Sequence, residues 1–334
     1  MMPLNSLKPI LSVIVVAYNN EAEIVSCLAS IHQACLGLHY EVIVVDNASR
    51  DASVAQIRAF DSEICVLQSK VNLGFAAGNN LAFKAAQGQF LALVNPDARP
   101  EAHALTCAVS WLQERPHIGM AGGRLLAENG QDQPSARCFP SVLNDFLVIS
   151  GLSNRFAKSR FFGRVDRTWA DPNLASPVDW VPGAFVVLNA AILAQVGVFD
   201  ERFFLYFEEV DLCRRIKTAG FEVWYQPDWR AVHIGGVSSA KVEGQHFNAH
   251  GSQLSLWRMR SAMLYYRKHH GWLGAWGACQ LERVWHGLRL WRNQIRALPS
   301  ARYKCIESRA LRNLLAQAWR DTAGGRVSPP SPWL

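Results

Sequence analysis

Two periods of apolar spacing organise this chain. Ile10 to Val16 is an unbroken, mostly β-branched run, as in a strand buried on both faces, and Ile24, Leu28, Ile31 and Cys35 then recur along one helical face. Glu41 to Val45 repeats the strand pattern and ends in Asp46-Asn47-Ala48-Ser49, a turn of capping residues that opens a helix towards Phe60. Ile64 to Leu67 predicts a third strand, Ala77 to Ala86 a helix closed by Gly88, and Phe90 to Val94 a fourth strand running into Asn95-Pro96-Asp97. Such alternation predicts an α/β fold with a mainly parallel sheet flanked by helices. Further on, Ala184 to Leu188 reads as a strand before a helix. Phe203 to Phe207 reads as a strand meeting a helix through Leu212 and Ile216 to Gly220.

The last third has a different pattern. From Leu281 to Leu298 the apolar residues Leu281, Val284, Trp285, Leu288, Trp291, Ile295 and Leu298 share one helical face. Arg283, His286, Arg289 and Asn293 fall mainly on the other, and Arg292 interrupts the apolar side. Gly251 to Leu334 holds 14 Lys and Arg against 3 Asp and Glu, and seven of the 12 tryptophans, while the rest of the chain is slightly acidic. A basic, tryptophan-bearing helix suits an anionic lipid interface, or it packs on the main body with its polar side outward. Nucleic acid ranks last as a partner, because the cations are mixed with apolar positions instead of forming an exposed run. Pro329-Pro330-Ser331-Pro332 reads as a disordered end.

The 334 residues are 50% hydrophobic and 18% charged, which excludes a disordered chain and supplies a core for one large or two small domains. The apolar run at Ile10 ends in Tyr18-Asn19-Asn20 without a small-residue cleavage site, so it reads as a buried strand and not a signal peptide. Trp180 to Phe199 is uncharged but contains Pro182, Gly183, Asn189, Gln195 and Gly197, so no transmembrane segment is expected. Eight cysteines without a C-x-x-C pair fit reduced thiols in a cytoplasm.

Ligands of parallel α/β sheets bind where the carboxyl ends of the strands gather their loops. Tyr18-Asn19-Asn20, Asp46-Asn47 and Asn95-Pro96-Asp97 would share that mouth. A dinucleotide site is excluded, because the first loop lacks G-x-G-x-x-G, and a Walker loop is absent too.

These residues carry a resemblance. Ser12 to Asn19, Val44 to Ser49, Asn72 to Asn79 and Leu93 to Asp97 resemble the nucleotide-sugar half of family 2 glycosyltransferases of GT-A fold, with its Rossmann-like sheet. Pro182-Gly183-Ala184, Phe207 to Leu212, His233 to Ser238 and Tyr265 to Gly271 resemble the rhamnosyltransferase-like branch. The resemblance implies a catalytic domain over 1–250, its nucleotide-sugar half about 1–125 and its acceptor half about 126–250, with a basic helical extension over 251–334. The basic, tryptophan-rich extension suggests a cytoplasmic protein that either contacts the inner face of the membrane through 255–320 or packs the extension on its catalytic domain.

The resemblance implies donor contacts from Ala17, Tyr18, Asn19, Asp46, Asn72, Gly74, Asn79, Asn95 and Asp97. A carboxylate at Asp46 accepts the N3 proton of uracil or thymine, so the donor would be a dTDP- or UDP-sugar. Gly74 and Gly78 let backbone lie near the ribose or diphosphate at a helix start. Asp97 and His233 are the implied ligands of Mn2+ or Mg2+, although the family's D-x-D is here Asn95-Pro96-Asp97. Glu209 is the implied general base, with Glu208 as the alternative and Asp211 holding the motif or the acceptor. The implied reaction is an inverting transfer, best read as rhamnose from dTDP-rhamnose to a glycan or lipid-linked acceptor in cell-envelope polysaccharide synthesis. Galactosyl, galactofuranosyl or glucosyl transfer would use the same parts. A non-catalytic scaffold is favoured only by the missing first carboxylate. Arg137-Cys138-Phe139-Pro140 and Phe156 to Asp171, rich in cations and aromatics, read as a mobile acceptor loop.

Overall fold

The structure is a computed structural model and describes residues 8–235, 252–295 and 299–328. Gly236 to Ser238, the end of the histidine motif, and the prolines from Pro329 lie outside the described residues. The chain opens with β1 (Leu11–Ala17), α1 (Ile24–Ala34), β2 (Tyr40–Asp46), α2 (Ser53–Phe60), β3 (Cys65–Gln68), α3 (Gly74–Ala85) and β4 (Phe90–Val94). These are the elements that the apolar pattern predicts, each within three residues of its expected ends. Next come β5 (Ala98–Pro100), α4 (Ala104–Gln113), β6 (Ile118–Leu126), α5 (Val142–Ile149), α6 (Leu152–Arg155), β7 (Ser176–Pro177), β8 (Phe185–Asn189) and α7 (Ala190–Val196). The chain continues through α8 (Glu208–Thr218), β9 (Glu222–His233), α9 (Ser252–Ile295) and α10 (Pro299–Asp321).

The strands form one nine-stranded sheet in the order β3-β2-β1-β4-β8-β6-β9-β5, with β7 beside β9. Strands β1 to β4 are parallel to one another, whereas β8 runs antiparallel to both β4 and β6, so the sheet turns mixed beyond β4. Alternate residues of β1 serve the two faces, as strand geometry requires. Leu11, Val13 and Val15 pack towards α1 and α4, and Ile14 packs with Val45, Leu93 and helices α3, α8 and α9.

One expectation changes in three dimensions. Phe203 to Phe207 is not a strand but an irregular loop, with Tyr206 and Phe207 both left-handed at φ 70° and 69°. Its apolar side chains serve anchoring instead of pleating: Phe203 is buried in the core and Phe204 packs on Trp257 of α9. Within Phe156 to Asp171, Thr168 Oγ1 donates to the Ala157 carbonyl at 2.7 Å and Arg160 lies over Trp169. The extension packs on the body: Leu264, Tyr265 and Tyr266 belong to the same core cluster as Ile14 and Val186.

Helix α9 bends where Gly271 leaves helical geometry, at φ 70° and ψ −170°. Beyond it the polar face meets protein and the apolar face is exposed. His286 and Asn293 are buried and Arg289 pairs with Glu307 of α10 at 2.7 Å, while Val284, Leu288, Trp291 and Ile295 are exposed. Leu298 lies outside the described residues. All eight cysteines are free. Among the described residues, no helix is long and apolar enough to cross a membrane.

Candidate active site

The carboxyl ends of β1, β2 and β4 open on a cleft of about 290 Å³. Tyr18, Asn72, Gly74, Asn95, Asp97, Glu208, Glu209 and His233 line it. Ala17, Asn19, Asp46, Asn79 and Asp211 stand behind that lining. Asn19 Oδ1 accepts from the Arg50 amide and Asp46 Oδ1 from the Ser49 amide, so both hold the loop that leaves β2. Asn79 Nδ2 donates within its own helix to the Phe75 carbonyl. The Ala17 carbonyl accepts from Asn47 N.

Asn47, absent from the expected site residues, is the hinge pin of this end. Its Nδ2 donates to the Gly74 carbonyl at 3.0 Å and its Oδ1 accepts from Leu73 N, tying the β2 loop to the start of α3. Gly74 has φ +80°, and a Cβ there would lie 2.3 Å from the Phe204 carbonyl oxygen. Phe75 N donates to that same oxygen at 2.9 Å. Only glycine allows the loop before α3 to press against the loop before α8.

At the other end, β5 pairs with β9 so that Ala98 faces His233, which brings Asp97 and His233 together. Gln133 then settles the state of the imidazole. Its Nε2 donates to the His233 carbonyl at 2.7 Å, which leaves Oε1 facing His233 Nδ1 at 2.9 Å. An amide oxygen only accepts, so Nδ1 carries the proton. In the neutral ring His233 Nε2 then presents its lone pair, 3.5 Å from Asp97 Oδ1 and 3.4 Å from Asn95 Nδ2. Asp97 Oδ2 accepts from Gly235 N. Among the described residues no three His, Cys, Asp or Glu side chains converge as a metal cage. The pair nonetheless fits a hard divalent cation that completes its shell with phosphate oxygens and water.

The acidic residues begin α8. Two successive aromatic residues in the left-handed region cost roughly 1–3 kcal/mol each, and that strain turns the first helical turn into the cleft. Glu208 and Glu209 each keep one carboxylate oxygen, Oε2, without a hydrogen-bond partner. Burial raises both carboxyls above their ordinary range, and the negative charge of Glu209 raises Glu208 further. Backbone amides of the helix start and the Arg137 guanidinium oppose the rise at Glu209. Both carboxyls are thus harder to ionise than a free glutamate, Glu208 the more so. Gly183, from the expected Pro-Gly-Ala motif, sits beneath Glu209, where a Cβ would lie 3.8 Å from the glutamate's own.

Asp211 points away from the cleft and is fully buried. Burial raises its carboxyl, but hydrogen bonds from His269 and Lys268 and the charges of Arg215 and Lys268 outweigh it and hold the group below the usual range. The distances are 2.7 Å to His269 Nε2, 2.7 Å to Lys268 Nζ and 2.9 Å to Arg215 Nε. Asp211 is thus a positioning residue that clamps α8 to α9, and Ser261 Oγ adds a bond to the Leu205 carbonyl at 2.8 Å. Gln133 and Ser261 carried no motif signal, whereas Asn47 stood in the Val44 to Ser49 motif without a role of its own. Lys268 and His269 did stand in the Tyr265 to Gly271 motif, whose contact with α8 required the fold.

Residues 12–151 match the model of Glycosyl transferase family 2. The fold is GT-A-like. The chain is 25% identical over 260 residues to an N-acetylglucosaminyl-diphospho-decaprenol L-rhamnosyltransferase of Mycobacterium tuberculosis, covering 72% of this chain and 81% of that protein. It is 26% identical over 221 residues to rhamnosyltransferase WbbL of Escherichia coli, covering 64% and 79%. Among solved structures it is similar to the mannosyltransferase PcManGT from Pyrobaculum calidifontis in complex with GDP-Man and Mn2+. That match has TM-score 0.52 and 17% identity over 93% of this chain and 87% of that one. GalNAc-T7 with UDP, GalNAc and Mn2+ matches with TM-score 0.54 and 12% identity, over 83% and 51%. These likenesses show a GT-A-like fold, to which the chain adds a helical C-terminal extension.

Proposed function

We propose that the protein transfers a sugar, with inversion, from a dTDP- or UDP-sugar to a glycan or lipid-linked acceptor, and that the sugar is rhamnose. The observation that carries this reading is one cleft lined by Asp97, His233 and the unpartnered carboxylate oxygens of Glu208 and Glu209. The rhamnosyltransferase names of two relatives support the choice of sugar and a lipid-diphosphate acceptor. UDP-linked galactose, galactofuranose or glucose remains the competing donor set. Mn2+ in the two similar complexes supports a divalent cation.

Asp97 and His233 Nε2 would hold the cation, which when bound offsets the charge of the departing nucleoside diphosphate. Asp46 accepts the N3 proton of the base, and the Asn47-braced loop at Asn72 and Gly74 receives the ribose and diphosphate. Glu209 takes the proton of the acceptor hydroxyl as its oxygen attacks the anomeric carbon from the face opposite the diphosphate. With no side chain bonded to the sugar, a single displacement inverts the anomeric carbon. The reaction takes place on the inner face of a cytoplasmic membrane. Calorimetric titration with dTDP-rhamnose, UDP-galactose, UDP-glucose and GDP-mannose, with and without Mn2+, tests the donor. Mn2+-dependent binding of dTDP-rhamnose alone, lost in Asp97→Ala, is expected; binding of none of them would end the transferase reading.

A further inference from the structure

We propose that α5 and the second half of α9 form one docking surface for an anionic lipid bilayer. Leu273, Trp276, Val284, Leu288, Trp291 and Ile295 are all exposed, from 45% for Trp276 to 73% for Leu273. Their spacing of three, eight, four, three and four residues is a single stripe at helical pitch, about 33 Å long at 1.5 Å per residue. Exposed Trp272 stacks on Trp276 and widens the stripe. Helix α5 lies alongside, with Val142 packed at Gly277 and Ile149 beside Trp285 and Leu288. Its outer side adds exposed Leu143, Phe146 and Val148.

A patch of this extent marks a binding surface, and the charge of the segment that carries it names the occupant. Arg292 is exposed within the stripe itself, between Trp291 and Ile295, and Arg302, Lys304 and Arg309 are exposed on the neighbouring helix α10. The segment from 251 onward has 14 basic and 3 acidic residues. A second copy docked on this face would set two such basic segments against each other. Phosphates of a nucleic acid would satisfy the cations but leave the apolar stripe in water. A bilayer with anionic headgroups accepts both, taking apolar side chains and tryptophans at the interface and cations at the phosphates.

The surface is also rigidly joined to the site, because α9 holds Asp211 through His269, and Tyr266 donates to Asp145 of α5 at 2.6 Å. Docking would therefore fix the cleft relative to the membrane. This deepens the proposed transfer, on which it rests only for the idea that the acceptor is lipid-linked.

The test is co-sedimentation of the full chain with vesicles of phosphatidylcholine alone or mixed with phosphatidylglycerol, with no sugar donor present. Binding to the anionic vesicles is expected to fall about tenfold or more in Leu273→Ser/Leu288→Ser/Trp291→Ser and in Arg292→Glu/Arg302→Glu. Thermal melting and donor binding should stay as in wild type. Equal sedimentation of wild type and both variants, or none with anionic vesicles, overturns the proposal. So does a dimer, seen by analytical ultracentrifugation, that the triple variant dissolves, or binding to an RNA probe that the vesicles do not compete. Vesicle binding without any donor binding would leave the surface standing and remove the transferase reading.

Discussion

Glu208 and Glu209 are adjacent and both raised by burial, yet Arg137 opposes the rise at Glu209 while the charge of Glu209 adds to it at Glu208. Glu209→Gln is expected to lower turnover by roughly 10²–10⁴-fold, the usual worth of a positioned general base, while donor affinity in calorimetry stays within a factor of two or so. Since the base must be ionised and burial raises its carboxyl, transfer should rise with pH through a midpoint above the ordinary carboxylate value of about 4.3. A midpoint at or below 4 in a pH–rate profile would remove Glu209 from this role. Gln133 acts through His233 by holding its tautomer. Gln133→Leu should weaken Mn2+ binding about 10-fold or more, read by titration, without changing metal-free stability much. Neither the raised carboxyls nor the tautomer was legible in the sequence. Asp97 and His233 were, because each stands in a motif of its own, whereas Gln133 is a lone amide whose partner lies a hundred residues away.

Among the elements, the loop before α3 and the loop before α8 depend on each other at one point of contact. Gly74→Ala places a methyl carbon against the Phe204 carbonyl at a positive φ. It should lower donor affinity about tenfold and cost about 1–3 kcal/mol in urea unfolding. Affinity unchanged from wild type would mean that the contact is incidental. Asp211→Asn leaves Lys268, His269 and Arg215 around a buried amide, so a loss of about 3–5 kcal/mol is expected near neutral pH. Its folded carboxyl lies below the unfolded value, so the stability it contributes is present above about pH 4 and fades as pH falls through the folded value. Urea midpoints of the two proteins should therefore converge in acid. Alternating pattern found β1, β2 and β4 well because a strand buried on both faces has one reading. It failed at Phe203 to Phe207, where five apolar residues looked like pleat but serve as anchors for a strained turn.

For the molecule as a whole, the composition step near 251 suggested a boundary that packing does not honour. Removing residues from 251 onward would strip Leu264, Tyr265 and Tyr266 from the core and cut the ties of His269 and Lys268 to α8. Such a truncation is expected to be insoluble or to lack near-ultraviolet circular dichroism, and a folded, donor-binding product would restore the boundary. The amphipathic pattern beyond Gly271 was legible, but its direction was not. Periodicity says which residues share a face; it does not say which face meets protein, and here α10 takes the polar one. The sequence by itself determined the parallel αβ order, the loops that gather at one mouth and most of the residues that line the cleft, because these follow from local spacing and turn chemistry. Only the tertiary structure decided that Asp211 clamps instead of reacting, that Asn47 and Gln133 hold the site in shape, and that α9 turns its apolar stripe outward. Each of those depends on a contact between segments far apart in the chain, which local patterning does not encode.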